Sequence, residues 1–469
     1  MTLLYSISTL LQYIYLSILT NRITYIFRKQ RRILLMVNYF ASNMSGALVG
    51  IFAFFLAYTS SIIFLRKYRI THPVIFGITL VSLFGHAGGA LFYYWYSLHV
   101  GSDSVTYFNS ATLSYNGIGF NFVCYILGYL KTYILNDSFL GAFLVSGALG
   151  YLGSIFYFLS FKQLFDMLLN TQPHEKAYEQ TLIIPAIVLL CWPSYFIWSA
   201  GLIKDSFTFI LTGYIFLILA NSRRSVIHYL LLFISCLFVF SLRPYLFGIA
   251  AIVTILYVLL DSKADRIIKS AILFLAVCAT VFIIPKIQHY LMMMAHDAGV
   301  SMSNIGTYII YQQSLMQEAG SSLSLPTYNP NLVFLYLPYL IGINLFLPMG
   351  VGATSIVGWL SSIENVFLAG WVLYFLINWS YWKIAREKLV TAKYLFVYFI
   401  FGISCLSIMN TNLGLAMRQK MMYVPAFLIA VLLVYSYKKV VLIRSIELPI
   451  PLNNMSGLEH TELACSKRM

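Results

Sequence analysis

"WPSYFIWSAGLIKDSF", residues 192–207, sets a lysine beside an aspartate inside a stretch of about forty otherwise apolar residues. A charge at hydrocarbon depth costs several kcal/mol unless it meets water, a partner or a ligand. The economical reading is two apolar spans with a turn between them. One span then runs over 181–200 and the next over 205–221, with Lys204 and Asp205 where the chain reaches the surface and turns back. That pattern repeats along the whole chain. The 469 residues are 60% hydrophobic and 10% charged, with a mean hydropathy of +0.81. Such a composition excludes a soluble domain of this length and predicts an all-α, polytopic transmembrane helical bundle.

Further spans are predicted over 46–65, 73–95, 138–160, 226–241, 245–260, 269–285, 366–382, 394–411 and 423–437, about eleven in all. Basic residues fix their alternation. The clusters are Arg66, Lys67 and Arg69; Lys162 and Lys176; Arg223 and Arg224; Lys263, Arg266 and Lys269; Lys383, Arg386, Lys388 and Lys393; and Lys438, Lys439 and Arg444. Alternating the spans puts all of them on one side, which the positive-inside rule makes cytoplasmic. The net charge of +15 is thereby explained without nucleic acid. The scheme requires 120–136, with Lys131 in its middle, to lie in the interface and not cross. Segment 331–347 is interfacial, re-entrant, or paired with part of 349–364.

The domain division follows. Residues 1–44 form a basic and apolar N-terminal segment. Its 22–32 cluster breaks the alternation, so either 1–20 is not a span or the chain is over-extended and begins at Met36 or Met44. No cleavable secretion signal is expected. Residues 45–444 are the membrane domain, with outer loops 96–137 and 286–365. Residues 445–469 are a polar cytoplasmic tail. The 17% aromatic content suits interfacial belts and helix packing. Cysteines 124, 191, 236, 278 and 405 lie in apolar segments and Cys465 in the tail. No CxxC or CxxH occurs, so neither a disulfide framework nor a zinc site is expected. No GxGxxG, P-loop, HExxH or GxSxG signature is present, which argues against a nucleotide-driven soluble catalytic domain.

The outer side keeps few charges, and four stretches that carry some of them stand out. "GSDSVTYFNSA" (101–111) carries Asp103. "SAGLIKDSF" (199–207) carries Lys204 and Asp205. "SLRPYLF" (241–247) places Arg243 at a tight turn, with Pro244 opening a helix. "NTNLGLAMRQKMMYVP" (410–425) carries Arg418 and Lys420 before the final span. Taken singly, each has a plain structural reading. Asp103 fits a solvated loop, Lys204–Asp205 an ion pair closing a hairpin, Arg243 a snorkelling cation, and Arg418 and Lys420 an interfacial pair. Taken together on one face, they offer cations for an anionic lipid headgroup, above all a diphosphate, and a carboxylate to accept a proton. His86, in "FGHAGGA", points to close helix packing. His289 and His296 lack a metal-ligand spacing and read as loop residues. Glu364, in "SSIENVF", reads as the anchor of the following helix.

These stretches resemble O-antigen polymerase-like proteins and membrane glycosyltransferases of the GT-C type, found with bacterial surface-polysaccharide synthesis. The resemblance rests on Asp103 with Tyr107; on Pro193, Ser194, Trp198, Ser199, Gly201, Lys204 and Asp205; on Arg243–Pro244; on Pro348 with Glu364–Asn365; and on Asn412, Gly414, Arg418 and Pro425. It covers residues 100 to 425, in order. It implies an inner-membrane enzyme that uses a polyprenyl-diphosphate-linked sugar on the outer, periplasmic leaflet, with no cofactor; no metal is expected, because the second acid that metal-dependent members need is missing. Asp103 would be the base and Lys204 and Asp205 would share the catalytic work, Asp205 orienting Lys204 or binding a sugar hydroxyl. Arg243, Arg418, Lys420 and Lys204 would hold the diphosphate. The departure is that the Asp103 loop lacks the second nearby carboxylate of many GT-C enzymes. The alternative is a transporter or flippase of lipid-linked saccharide, which calls for charges along a path through the bilayer and for broken helices.

Overall fold

A computed structural model describes residues 43–169, 176–202, 204–221, 226–260, 270, 333–350, 356–409 and 413–447. Among these, every regular element is a helix. The helices are α1 (Asn43–Lys67), α2 (Pro73–His99), α3 (Asp103–Asn109), α4 (Phe120–Tyr129), α5 (Phe139–Leu169), α6 (Lys176–Thr181), α7 (Ile183–Leu190) and α8 (Pro193–Trp198). After them come α9 (Lys204–Ala220), α10 (Val226–Leu242), α11 (Pro244–Leu260), α12 (Val333–Phe346), α13 (Ile356–Ile377), α14 (Trp379–Lys388), α15 (Val390–Met409), α16 (Leu413–Lys420) and α17 (Val424–Glu447). Six of the described helices, α1, α2, α5, α13, α15 and α17, are long and apolar enough to cross a membrane. The protein is therefore a helical membrane protein. At three other predicted crossings, α9, α10 and α11 are 17 residues each, short of the ~20 of a typical span. The predicted span 269–285, apart from residue 270, and both loop histidines, His289 and His296, lie outside the described residues.

Local chemistry sets the boundaries. Pro73, Pro193 and Pro244 each open a helix, where a missing N–H costs nothing. Ser102 caps α3 by accepting from the Ser104 N–H at 3.2 Å. The 120–136 segment forms no spanning helix. It is α4 followed by a π-helical turn, Leu130–Ile134, that ends at Asn136 and Asp137 with positive φ. Lys131 in that turn donates to the Phe108 carbonyl at 3.3 Å and pairs with Asp137 at 3.5 Å.

Two expected spans are redrawn. The 181–200 crossing is not one helix: the chain is α7, a break at Cys191–Trp192, then α8. Trp192 is extended because it precedes a proline. The 366–382 crossing begins earlier, at Ile356, and ends at Ile377, so Glu364 lies inside a helix and not before it. A buried carboxylate is tolerated there because Ser194 hydrogen-bonds it twice. Residues just after 331–347 are tied to α13. Asn365 Nδ2 donates to the Pro348 carbonyl at 3.1 Å, and the Gly350 N–H donates to Ser362 at 3.1 Å.

The core is centred on α5, which is buried along most of its length and packs chiefly on α9 and α2. The "FGHAGGA" stretch brings α2 against α8. A Cβ on Gly89 would lie 1.9 Å from the Phe196 carbonyl oxygen, and the buried His86 ring packs edge-on to Phe196 at 5.0 Å. Small residues here let two backbones touch. Gly88, one residue away, faces open space. Gly89→Val should destabilise the bundle by about 3 kcal/mol, because the obstruction is backbone and cannot swing aside. Gly88→Ala should leave the melting temperature in detergent unchanged, and the pair of melts checks the packing directly.

Candidate functional site

Four helix ends meet at one end of the bundle. The start of α3 supplies Asp103 and Tyr107. The start of α9 supplies Lys204 and Asp205. The turn between α10 and α11 supplies Arg243, and α16 supplies Arg418. Asp205 is the hub, fully buried. Arg243 Nη2 donates to its Oδ1. Arg418 Nε donates to its Oδ2 at 2.5 Å, and Arg418 Nη2 lies at the same distance from that oxygen. These partners stand 38 and 213 residues away in sequence. The turn before α9 needs a glycine: a Cβ on Gly201 would sit 2.8 Å from Asp205 Oδ2.

The cluster opens outward through Arg418. Its Nη1 donates to Asp103 Oδ2 at 3.0 Å, and the Asp103 side chain is 69% exposed against 12% for Arg418. Arg418 thus bridges a buried carboxylate and a solvated one. Arg243 lies behind, buried, with Nη1 on the Tyr245 hydroxyl. Its Nε is buried with no hydrogen-bond partner among the described residues. Three cations face two carboxylates, which leaves one positive charge in excess.

Asp205 does not orient Lys204, the first of the two roles that the resemblance implied for it. Its two oxygens are occupied by guanidinium groups, while Lys204 Nζ turns to the Tyr107 hydroxyl at 3.1 Å. Adjacent residues on a helix point about 100° apart, which allows this division. Burial, and then the Arg243 guanidinium, push the Lys204 ammonium down to about 8; Asp205 opposes them only in part. Burial pushes the Tyr107 phenol up to about 12, so it stays a neutral partner for Lys204.

Lys420 belongs to a different network. It is buried and donates to Asn365 Oδ1 and, at 3.4 Å, to the Leu345 carbonyl. Beside it on α13, Glu364 accepts from the Ser194 N–H and hydroxyl, both at 2.8 Å. Burial lowers the Lys420 ammonium to about 8, with Glu364 opposing. Lys420 therefore fastens α16 to α12 and α13, two residues beyond Arg418. Sequence reasoning left Tyr245 and the Ser194–Glu364 contact out of the site. The only signal for Tyr245 was its place two residues after Arg243. The described residues contain no group of three or more His, Cys, Asp or Glu side chains placed to hold a metal ion.

No family model matches the chain, and no curated protein and no solved structure matches it. The resemblance drawn from the quoted motifs stands on those motifs alone.

Two predictions follow from the charge arrangement. Asp205→Asn should lower stability by about 3–5 kcal/mol, since it leaves two guanidiniums without their buried counter-ion. Asp103→Asn should cost no more than about 1 kcal/mol, because that carboxylate is mostly solvated. Chemical or thermal unfolding in detergent measures both. The second concerns pH. With a folded pKa near 8 and an ordinary value of 10.5, Lys204 binds fewer protons folded than unfolded between those limits. Its penalty is fully present below pH 8 and is relieved as pH rises through that window. Lys204→Met should flatten the rise of stability between pH 8 and 10, with Lys420 supplying what remains.

Proposed function

We propose that this protein is a membrane glycosyltransferase or polysaccharide polymerase acting on a polyprenyl-diphosphate-linked sugar at the outer leaflet of a bacterial inner membrane. The product would be a cell-surface polysaccharide. The observation that carries the reading is the junction of Lys204, Arg418 and Asp103 at the rim of one buried charge cluster. A lipid diphosphate needs cations at the height where its headgroup meets the protein, and Arg418 presents a planar fork suited to phosphate.

In this reading the diphosphate takes the place of Asp103 on Arg418 Nη1 and also contacts Lys204. Asp103, released, accepts the proton of the acceptor hydroxyl. The acceptor oxygen attacks the anomeric carbon, the bond from that carbon to the diphosphate oxygen breaks, and the electron pair stays on the diphosphate. Lys204 and Arg418 stabilise the charge that builds there. Arg243 is too buried to touch substrate; it holds Asp205, and through it Arg418. Lys420, rather than gripping the diphosphate, fixes α16. The reaction as drawn calls for no cofactor.

A flippase of lipid-linked saccharide is the second reading. The break between α7 and α8, together with the buried Glu364 and Lys420, favours it, since broken helices and charges buried among spans mark transport paths.

The test supplies the purified full chain with polyprenyl-diphosphate saccharide and follows glycan length and released carrier. An enzyme gives longer glycan and free polyprenyl diphosphate. A flippase moves the saccharide across vesicles and lengthens nothing. Arg418→Ala should lower turnover by at least about 100-fold while the protein still inserts. Asp103→Asn should lower it by about 10²–10⁴-fold. Full activity of the asparagine variant would remove Asp103 as the base.

A further inference from the structure

At the far end of α15 from Arg418 lies a recess. It is a cavity of about 350 Å³ between α14 and α15, within the ~300–1,000 Å³ range of small-molecule sites. Trp379, Trp382 and Phe396 form its apolar wall, with Phe396 packed 5.2 Å from Trp382 and 6.2 Å from Trp379. Arg386 and Lys393 line it as cations and Glu387 as the lone acid. Among the described residues neither Arg386 nor Lys393 has an ion-pair partner. Both therefore remain available to an anion. Lys383 and Lys388 stand on the same short helix, and Lys438 reaches Asn378 just before it, so the local potential is positive.

The recess also leads onto exposed apolar helix surface. Val397 lines the cavity, and Ile400, about one turn farther along α15, is exposed. On α13, Leu373, Leu376 and Ile377 are exposed too. Tryptophan is enriched at the water–hydrocarbon boundary, and Trp379 is partly exposed here. An occupant of this place needs a negative head, room for a small polar group, and an apolar chain. We infer that this recess binds the headgroup of an anionic phospholipid, of the phosphoglycerol class, in the leaflet opposite the Asp205 cluster. Its phosphodiester would lie between Arg386 and Lys393, its glycerol against Trp379, and an acyl chain along Val397 and Ile400. Glu387 would disfavour heads carrying a second negative charge. The site is independent of the proposed chemistry at Arg418.

Native mass spectrometry of the full chain in detergent, titrated with phosphatidylglycerol and separately with phosphatidylcholine, tests this. Wild type should bind phosphatidylglycerol in preference. The double variant Arg386→Gln with Lys393→Gln should weaken it by about 25-fold, at about fivefold for each cation near a membrane surface. Binding of phosphatidylcholine should not change. Arg386→Lys with Lys393→Arg should keep the preference, which separates lost charge from lost folding. Equal affinity for the two lipids in wild type, or an undiminished preference in the glutamine pair, overturns the inference. So does soluble glycerol phosphate binding as tightly as the lipid, which would make the site one for a free anion.

Discussion

Asp205 is a carboxylate with no access to water, and the arrangement around it is a consequence of that burial. An ionised carboxylate taken out of water is tolerable only with close counter-charges and hydrogen bonds on its oxygens. One guanidinium serves Oδ1 and another serves Oδ2. Arg243 must then stand at the turn before α11 and Arg418 on α16. These elements, with α9, are brought to a common point. Arg418, fixed from behind, has one amino group left to offer Asp103. The same charge pressure keeps Lys204 apart from Asp205 and on Tyr107.

A second constraint fixes the distance between the walls of this cluster. Glu364 and Asn365 are neighbours on α13. Glu364 holds the start of α8, the element that leads into the Gly201 turn and Lys204. Asn365 holds Lys420, at the end of the helix that carries Arg418. One helix thus braces both sides. Polar residues inside a membrane protein are costly unless paired, and here each pairing joins segments that the sequence keeps far apart. The discontinuity at Trp192–Pro193 is part of the same design, because it exposes the Ser194 N–H for Glu364 to accept.

Much of this was legible in the chain. Alternating apolar runs and basic clusters marked the membrane helices. The scarcity of charge on one face singled out Asp103, Lys204, Asp205, Arg243, Arg418 and Lys420, and all but Lys420 share one locus. Pairings were less legible. Adjacency suggested a Lys204–Asp205 pair, whereas the carboxylate is met by residues no spacing rule connects to it. Arg418 and Lys420 looked like a pair, yet residues two apart on a helix point about 200° apart, so one faces the cluster and the other α13. Hydropathy averaging also ran through the proline break at 193 and read Glu364 as a boundary. It weighs a residue's polarity without knowing whether a partner waits for it.

The order in which the cluster's members occur along the chain has a consequence for biosynthesis. Asp103, Asp205 and Arg243 leave the ribosome well before Arg418, which comes after position 400 of 469. Until the last helices insert, Asp205 holds a single guanidinium and Asp103 has no bridge to it. A nascent or prematurely ended chain would carry its helices without a finished rim, so completion of the charge cluster reports that insertion has reached α16.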